Sequence, residues 1–139
     1  MTDPQPPDSI PMKKHILSVD DEQDIRELLQ ESLSMRGYRV STAATAVEAK
    51  RIAEADRPDL IILDFQIEES DGSILIDEFR KLYPGLPLML LTGAVFGEGA
   101  VREAIETRVA SYLDKTASLS DIVNEIHRLI GDPEAGESK

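Results

Sequence analysis

The chain alternates short apolar runs with longer segments in which apolar positions recur at helical spacing. Four of the runs are mostly aliphatic, which is typical of strands buried inside a parallel sheet. A further run, starting at Tyr38, alternates polar and apolar side chains and predicts the second strand. The five predicted strands cover residues 16–19, 38–42, 60–63, 88–91 and 109–113.

The segments between the predicted strands place apolar residues on one face of a helix. Gly37 is positioned to end the first helix, and Pro58 follows the second as a stop signal. The fourth helix has the thinnest pattern, formed by Val101, Ala104 and Ile105, so we expect it to be the most mobile. The predicted helices cover residues 22–36, 45–55, 72–83, 98–107 and 118–130. The other four apolar stripes comprise Ile25, Leu28, Leu29 and Leu33; Ala46, Val47, Ala49, Ile52 and Ala53; Ile74, Leu75, Ile76, Phe79 and Leu82; and Leu119, Ile122, Val123, Ile126, Leu129 and Ile130.

Five strand-helix units joined by short loops predict an α/β fold with a doubly wound, five-stranded parallel sheet flanked by five helices. We expect this domain to span residues 13–130, a length sufficient for one two-sided core. The proline-rich leader, residues 1–12, has a composition that cannot bury a core and is expected to be disordered. The same reasoning predicts a flexible tail over residues 131–139.

Composition narrows the classes of partner. A net charge of −12 argues against direct nucleic-acid binding, because lysine and arginine contacts to phosphates supply most of that affinity. No apolar stretch approaches the roughly 20 residues that cross a bilayer, so we expect no membrane insertion and a cytoplasmic location. The chain has no cysteine, which removes disulfide and thiolate-ligand chemistry.

Polar residues follow the apolar runs at the ends of the predicted strands. Asp20 and Asp21 follow the first strand, and Asp64 follows the third. Thr92 follows the fourth, and Lys115 lies just beyond the fifth. Because parallel strands end at one edge of a sheet, where ligands bind in open α/β folds, these side chains are expected to form one polar pocket.

This constellation resembles the receiver domain of two-component response regulators, from about Lys13 to Ile130. The resemblance implies a flavodoxin-like topology and a phosphorelay function, in which Asp64 accepts a phosphoryl group from a phosphohistidine with Mg²⁺ bound nearby. The residues that carry it, in their order and spacing, are Asp20, Asp21, Asp64, Gly72, Thr92, Tyr112 and Lys115.

The resemblance also implies a role for each position around the metal. Asp21 and Asp64 would be carboxylate ligands of Mg²⁺, which prefers six oxygens and keeps waters. Gln66 would contribute its backbone carbonyl, and Asp20 would act mainly through water. Lys115 would pair with Asp64 at rest and with a phosphoryl oxygen afterwards.

A switch is implied as well. Thr92 would donate its hydroxyl to the phosphoryl group and move inward, which would vacate space for the ring of Tyr112 to rotate. A protein-binding surface near the fourth helix, fifth strand and fifth helix would then change.

The chain departs from the family pattern at three places. Lys115 is followed by Thr116, where most receivers have a proline that often follows a cis peptide bond. A cis bond before a non-proline residue costs about 2.5 to 4 kcal/mol, so we predict a trans bond and a rearranged loop. Ile67-Glu68 and Arg108-Val109 are the other departures. They alter the loop beside the metal and the end of the fourth helix.

Simpler interpretations exist for several of these residues. Asp20 and Asp21 could cap the helix that follows them, and this role is compatible with a metal site. Tyr112 could be an aromatic residue at the edge of the core. His127 is expected to face solvent rather than to carry a phosphoryl group, and phosphotransfer by His15 is less expected still.

Two other classes of function are open. A magnesium-dependent phosphohydrolase usually has a second acid two residues after its aspartate, where this chain has Gln66, so we expect no independent enzyme activity. The other class is a receiver-like interaction module that acts without phosphorylation. We expect a stand-alone receiver whose partners are a sensor histidine kinase or histidine phosphotransfer protein and a downstream protein target. A weak homodimer through the fourth-helix face is a further option.

Overall fold

The computed structural model describes residues 13–64, 66–67, 70–71, 73–93 and 109–133. Strands and helices alternate along this part of the chain. The strands are β1 (His15–Val19), β2 (Arg39–Ala43), β3 (Leu60–Leu63), β4 (Gln66–Ile67), β5 (Ser70–Asp71), β6 (Leu88–Thr92) and β7 (Ser111–Asp114). The helices are α1 (Gln23–Met35), α2 (Ala46–Ala55), α3 (Ser73–Leu82) and α4 (Leu119–Ile130).

Five of the strands form one parallel sheet in the order β2-β1-β3-β6-β7. The chain thus starts near the middle, moves outward to β2 and then returns past β1 to the other side. The predicted doubly wound, five-stranded sheet is confirmed. Strands β4 and β5 pair separately as an antiparallel hairpin. The structure describes four of the five predicted helices, and residues 98–107 and Arg108 lie outside the described part.

Neighbouring residues of the buried strands point to opposite faces of the sheet, which gives two core layers. Ile16 belongs to one apolar cluster and Leu17 to the other. The layer containing Leu17 packs against α2 and α3, with Phe79 fully buried. The layer containing Ile16 packs against α1 and α4, with Ile126 fully buried. The sheet is therefore covered on both sides, as its continuous aliphatic strands require.

Helix α1 ends where the sequence placed its stop signal. Gly37 has a φ of 104°, a left-handed conformation that glycine adopts without a steric penalty. The Gly37 amide donates to the Ser34 carbonyl at 3.0 Å, and the Tyr38 amide donates to the Leu33 carbonyl at 3.1 Å. This pair of bonds is a Schellman motif, and it turns the chain sharply into β2.

The starts of α2 and α4 are capped by hydroxyl side chains. Thr45 accepts a hydrogen bond from the Glu48 amide at 3.1 Å. Ser118 accepts one from the Asp121 amide at 3.0 Å. Each cap satisfies one of the amide groups that a helix start leaves without an intrahelical partner.

Some residues of the predicted apolar stripes are exposed instead of buried. In α1 the buried apolar residues are Leu29 and Leu33, while Leu28, displaced by one position around the helix, is exposed. Leu82 continues the stripe of α3 but is the last residue of that helix and is exposed. Four residues of the predicted stripes are therefore exposed: Leu28, Val47, Ile74 and Leu82.

The residues after α4 contact the amino-terminal edge of the sheet. The Lys14 amide donates to the Pro133 carbonyl at 2.6 Å, and the Tyr38 hydroxyl donates to the Gly131 carbonyl at 2.7 Å. The Lys14 ammonium also donates to the Ile130 carbonyl. Residues 131–133, assigned to the tail from the sequence, are thus held beside β1. Within the described ranges, no helix is long and apolar enough to cross a membrane.

Candidate functional site

The polar residues predicted at the strand ends meet at the carboxyl-terminal edge of the sheet. Val19 of β1 is in register with Leu63 of β3, so the next residues, Asp20 and Asp64, lie side by side. The backbone fixes both positions, because the Asp64 amide donates to the Val19 carbonyl at 3.0 Å. Strand pairing continues beyond the apolar runs, which holds the two aspartates rigidly next to each other.

Three aspartates form an acidic cluster at this edge. One carboxylate oxygen from each of Asp20, Asp21 and Asp64 lies within 4.8 Å of the others. Asp20 and Asp64 are 3% and 5% exposed, while Asp21 is exposed. Oxygen donors at this spacing fit a hard divalent cation such as Mg²⁺, and the exposed member leaves room for the waters that Mg²⁺ keeps.

Burial of the cluster has an electrostatic cost. It raises the pKa of Asp20, because the charged carboxylate is removed from water. The Glu22 amide, which donates to Asp20 at 2.9 Å, and the Lys115 ammonium offset part of this effect, while the Asp64 charge adds to it. The cluster is therefore a place where added positive charge stabilises the fold.

Lys115 supplies positive charge to the cluster. Its ammonium nitrogen lies 2.9 Å from Asp64 Oδ2, 3.0 Å from Asp20 Oδ2 and 2.5 Å from Glu22 Oε1. Burial lowers the pKa of Lys115, but hydrogen bonds to these three carboxylates outweigh it and leave the pKa above its usual value. Lys115 is therefore held as a cation between three acids.

The sequence-based prediction paired Lys115 with Asp64, and the structure places these residues in contact. It did not identify Glu22, which makes the shortest of the three ion pairs. The signal available in the sequence was the run Asp20-Asp21-Glu22, in which a third acid follows the predicted pair. Its proximity to Lys115 depends on how α1 begins relative to β7, which the sequence does not specify.

Hydrogen bonds to Asp114 hold the loop after Lys115. The Lys115–Thr116 peptide bond is trans, as predicted. Asp114 Oδ1 accepts hydrogen bonds from the Thr116 amide at 2.8 Å and from the Thr116 hydroxyl at 2.9 Å. The Ala117 amide donates to the Asp114 carbonyl at 2.9 Å, which closes a turn with Lys115 inside it.

Three other predicted site residues lie in β4, β6 and β7. Thr92 is the last residue of β6 and is in register with Asp114 of β7. Tyr112, in β7, is half-buried and packs against the core layer that lies between the sheet and helices α2 and α3. Gln66 lies in the hairpin that follows Asp64. The side chains of Thr92 and Gln66, and the whole of Gly72, lie outside the described part.

Two of the simpler interpretations can be compared with the structure. The residue at the amino-terminal cap of α1 is Glu22, whose side chain makes no capping hydrogen bond. Asp20 Oδ1 accepts a hydrogen bond from the Glu22 amide, which orders the turn before α1 and does not cap the helix. His127 is 58% exposed and pairs with Asp132, so its predicted solvent-facing position is confirmed.

Comparison with known proteins identifies the same fold and family. Residues 16–127 match the family described as response regulator receiver domain. The response regulator MprA of Mycobacterium leprae is 34% identical over 122 residues, which are 83% of this chain and 50% of that protein. The transcriptional regulatory protein GlrR of Escherichia coli is 35% identical over 104 residues, 73% of this chain and 22% of that protein. The chain thus spans half or less of these relatives.

Solved structures of receiver domains have the same fold as this chain. The receiver domain of NtrX from Brucella abortus is 31% identical, with a TM-score of 0.72 over 83% of this chain and 97% of that one. A CheY-like receiver domain protein from Methanospirillum hungatei is 28% identical, with a TM-score of 0.76 over 84% of this chain and 92% of that one. With the sheet order, the acidic cluster and the family match all in agreement, the chain belongs to the response regulator receiver domain family.

Proposed function

We propose that this receiver domain accepts a phosphoryl group on Asp64 from a phosphohistidine, with Mg²⁺ bound at the acidic cluster. The observation that carries the proposal is the contact between the Lys115 ammonium and Asp64 Oδ2 at 2.9 Å, beside two further aspartates. A cation touching the nucleophile can follow the charge to an incoming phosphoryl group, since catalysis of phosphoryl transfer is mostly placement and electrostatic stabilisation.

The chemical step follows from the carboxylate. An Asp64 oxygen attacks the phosphorus, and the phosphorus–nitrogen bond to the donor histidine breaks. The electron pair of that bond returns to the ring nitrogen, and the donor leaves as neutral imidazole because its other ring nitrogen carries a proton. Lys115 donates to a phosphoryl oxygen. The Thr92 hydroxyl, at the end of the adjacent strand, donates to another.

The acidic cluster would hold the metal through the carboxylates of Asp21 and Asp64, with Asp20 acting mainly through water and Gln66 through its backbone carbonyl. When bound, Mg²⁺ neutralises charge on the carboxylates and on the transferred group. Two features of the cluster suit Mg²⁺. Its three carboxylate oxygens lie within 4.8 Å of one another, and all three ligand atoms are oxygens, not histidine nitrogen or cysteine sulfur.

The output of the domain would be a change in its protein-binding surface. Thr92 and Asp114 pair across β6 and β7, and Tyr112 lies two residues before Asp114. A phosphoryl group that draws Thr92 inward therefore acts on the strand that carries Tyr112. The partners would be a sensor histidine kinase or a histidine phosphotransfer protein upstream and a second protein downstream, in the cytoplasm. Homodimerisation would be weak.

Intact mass after incubation with acetyl phosphate and Mg²⁺ tests the proposal. We expect wild type and Asp77→Asn, which changes an exposed aspartate of α3, to gain one phosphoryl mass. Asp64→Asn should gain none, because it lacks the nucleophilic oxygen. No adduct and no phosphate release in wild type would instead favour an interaction module that acts without phosphorylation. Sustained phosphate release under the same conditions would indicate a phosphohydrolase.

A further inference from the structure

Glu22 is the partner of Lys115 that the predicted site does not include. Its Oε1 lies 2.5 Å from the Lys115 ammonium nitrogen, closer than either aspartate. The Glu22 side chain is 59% exposed, whereas those of Asp20 and Asp64 are 4% and 6% exposed. Glu22 also occupies the cap position of α1 without making a capping hydrogen bond, so its carboxylate is available to the lysine.

The ammonium group has a fixed number of donors. A lysine offers three N–H bonds, and in this structure three carboxylates surround them. While the donor approaches and Asp64 is still a carboxylate, Lys115 can donate to an incoming phosphoryl oxygen only if one of these three contacts is given up. Release of Glu22 costs least, because an exposed carboxylate is rehydrated as it leaves, while a buried aspartate would lose its cation without regaining water.

We propose that Glu22 is a displaceable counter-ion of Lys115, which holds the lysine at the resting pocket and yields its place to the phosphoryl group. The role rests on the proposed function. Glu22 is a positioning residue: it touches the lysine and not the reacting phosphorus. Its negative charge at the mouth of the pocket also repels anionic phosphoryl donors, so it tunes the rate according to the charge of the donor.

Two consequences follow for Glu22→Gln, which keeps the shape of the side chain and removes its charge. The Lys115 donor becomes more available, and an approaching dianion meets less repulsion. The initial rate of Asp64 phosphorylation by acetyl phosphate should rise about threefold to tenfold, the effect of one unit charge several ångströms from a dianion in a watery pocket mouth. Phosphoramidate, which carries less negative charge, should gain less.

The experiment compares initial rates for both donors in wild type, Glu22→Gln, Glu22→Asp and Asp24→Asn. The last variant is the matched control, because Asp24 is exposed in the first turn of α1 and is not among the three ion-pair partners of Lys115. We expect the rise with Glu22→Gln only, a larger rise for acetyl phosphate than for phosphoramidate, and a near wild-type rate with Glu22→Asp. The ¹⁵N resonance of the Lys115 ammonium should shift with Glu22→Gln and stay in place with Asp24→Asn.

The outcomes are distinct. A rise equal for Glu22→Gln and Asp24→Asn, or a fall equal for both donors, would overturn the counter-ion role, as would an unmoved Lys115 resonance. A different result would overturn the proposed function itself. If wild type forms no phosphoryl adduct but the Lys115 resonance still shifts with Glu22→Gln, the ion pair exists, yet both the proposed function and the counter-ion role that rests on it are wrong.

Discussion

Asp114 accepts two hydrogen bonds from Thr116, one from its amide at 2.8 Å and one from its hydroxyl at 2.9 Å. These bonds close the turn that presents Lys115 to the acidic cluster. Most receivers have proline at the position of Thr116, and this chain replaces the rigidity of that ring with a side-chain-to-backbone turn. Asp114 is thus a support for Lys115 that was not among the predicted site residues.

Removal of this support should slow phosphorylation. We expect Asp114→Ala to reduce the initial rate of Asp64 phosphorylation severalfold, because the turn carrying Lys115 loses both hydrogen bonds and the ammonium is less well placed. Asp114→Asn keeps a side-chain acceptor and should retain most of the rate. Equal rates in wild type and Asp114→Ala, measured by intact mass over time, would show that the turn is held by other contacts.

The same turn has a pH dependence with a definite sign. The Thr116 amide, and then its hydroxyl, hold the pKa of Asp114 below its usual value. The stabilisation is therefore present above the unfolded pKa and is lost as the pH falls through the lower folded value. We expect an NMR titration to give a low Asp114 pKa in wild type. In Thr116→Val the value should rise only in part, since the amide bond remains; a complete return would assign the effect to the hydroxyl.

Asp20→Asn should make the metal-free protein more stable. Burial raises the pKa of Asp20, so the folded state holds the proton more tightly and the free energy of unfolding falls as the pH rises between the unfolded and folded pKa values. At pH 7 without divalent cation, we expect a gain of about 1 kcal/mol in urea unfolding, together with weaker Mg²⁺ binding. The gain should shrink as the pH falls through the raised folded pKa, because wild-type Asp20 then takes up a proton in the folded state. A loss of stability at pH 7 would contradict this account.

Gly37→Ala should destabilise the fold without altering the site. The residue has a φ of 104°, and an added Cβ would lie 3.3 Å from the Cβ and Cγ of Pro133. We expect a loss of about 1 to 2 kcal/mol in the free energy of unfolding. Gly85→Ala is the control: a Cβ there meets nothing within 4 Å, and its effect should stay below about 0.5 kcal/mol. Equal effects in urea unfolding would refute the backbone explanation.

Thr92→Ala tests the coupling between the site and Tyr112. We expect phosphorylation of Asp64 to persist, because the nucleophile and Lys115 are unchanged. The backbone amide shifts that phosphorylation causes near Asp64 should remain in the variant, while those near Tyr112 should be lost. Shifts that persist at both places would show that Thr92 does not link the phosphoryl group to β7.

The fold could be predicted because the residues within and next to each helix or strand indicate where that element begins and ends. Aliphatic runs of four or five residues, Gly37 after α1 and Pro58 after α2 each mark a boundary without reference to distant residues. Which face of a helix is buried, by contrast, depends on the elements that pack against it and could not be predicted at every position. Ile74 fits the apolar pattern of α3 yet is 70% exposed, since burial depends on where the helix crosses the sheet.

In the site, too, some contacts could be predicted from the sequence and others depend on how the elements pack. Asp20, Asp64 and Lys115 could be placed together from strand ends alone, because sheet geometry brings those ends to one edge. The contact between Glu22 and Lys115 could not be predicted in this way, since it depends on the direction in which α1 leaves the sheet. The hydrogen bonds between Asp114 and Thr116 could not be predicted either, because the absence of proline after Lys115 does not specify which side chain holds the loop.

The ion pairs of Lys115 also bear on how the pocket forms during folding. Lys115 is 95 residues from Asp20 and 51 from Asp64 in the chain, and parallel pairing across such separations is slow because long loops must close first. A chain that has ordered β1 and β3 but not β7 has the two buried carboxylates without their cation. The polar pocket is therefore completed only when β7 docks, so the phosphorylation that we propose would occur only in chains that have finished folding.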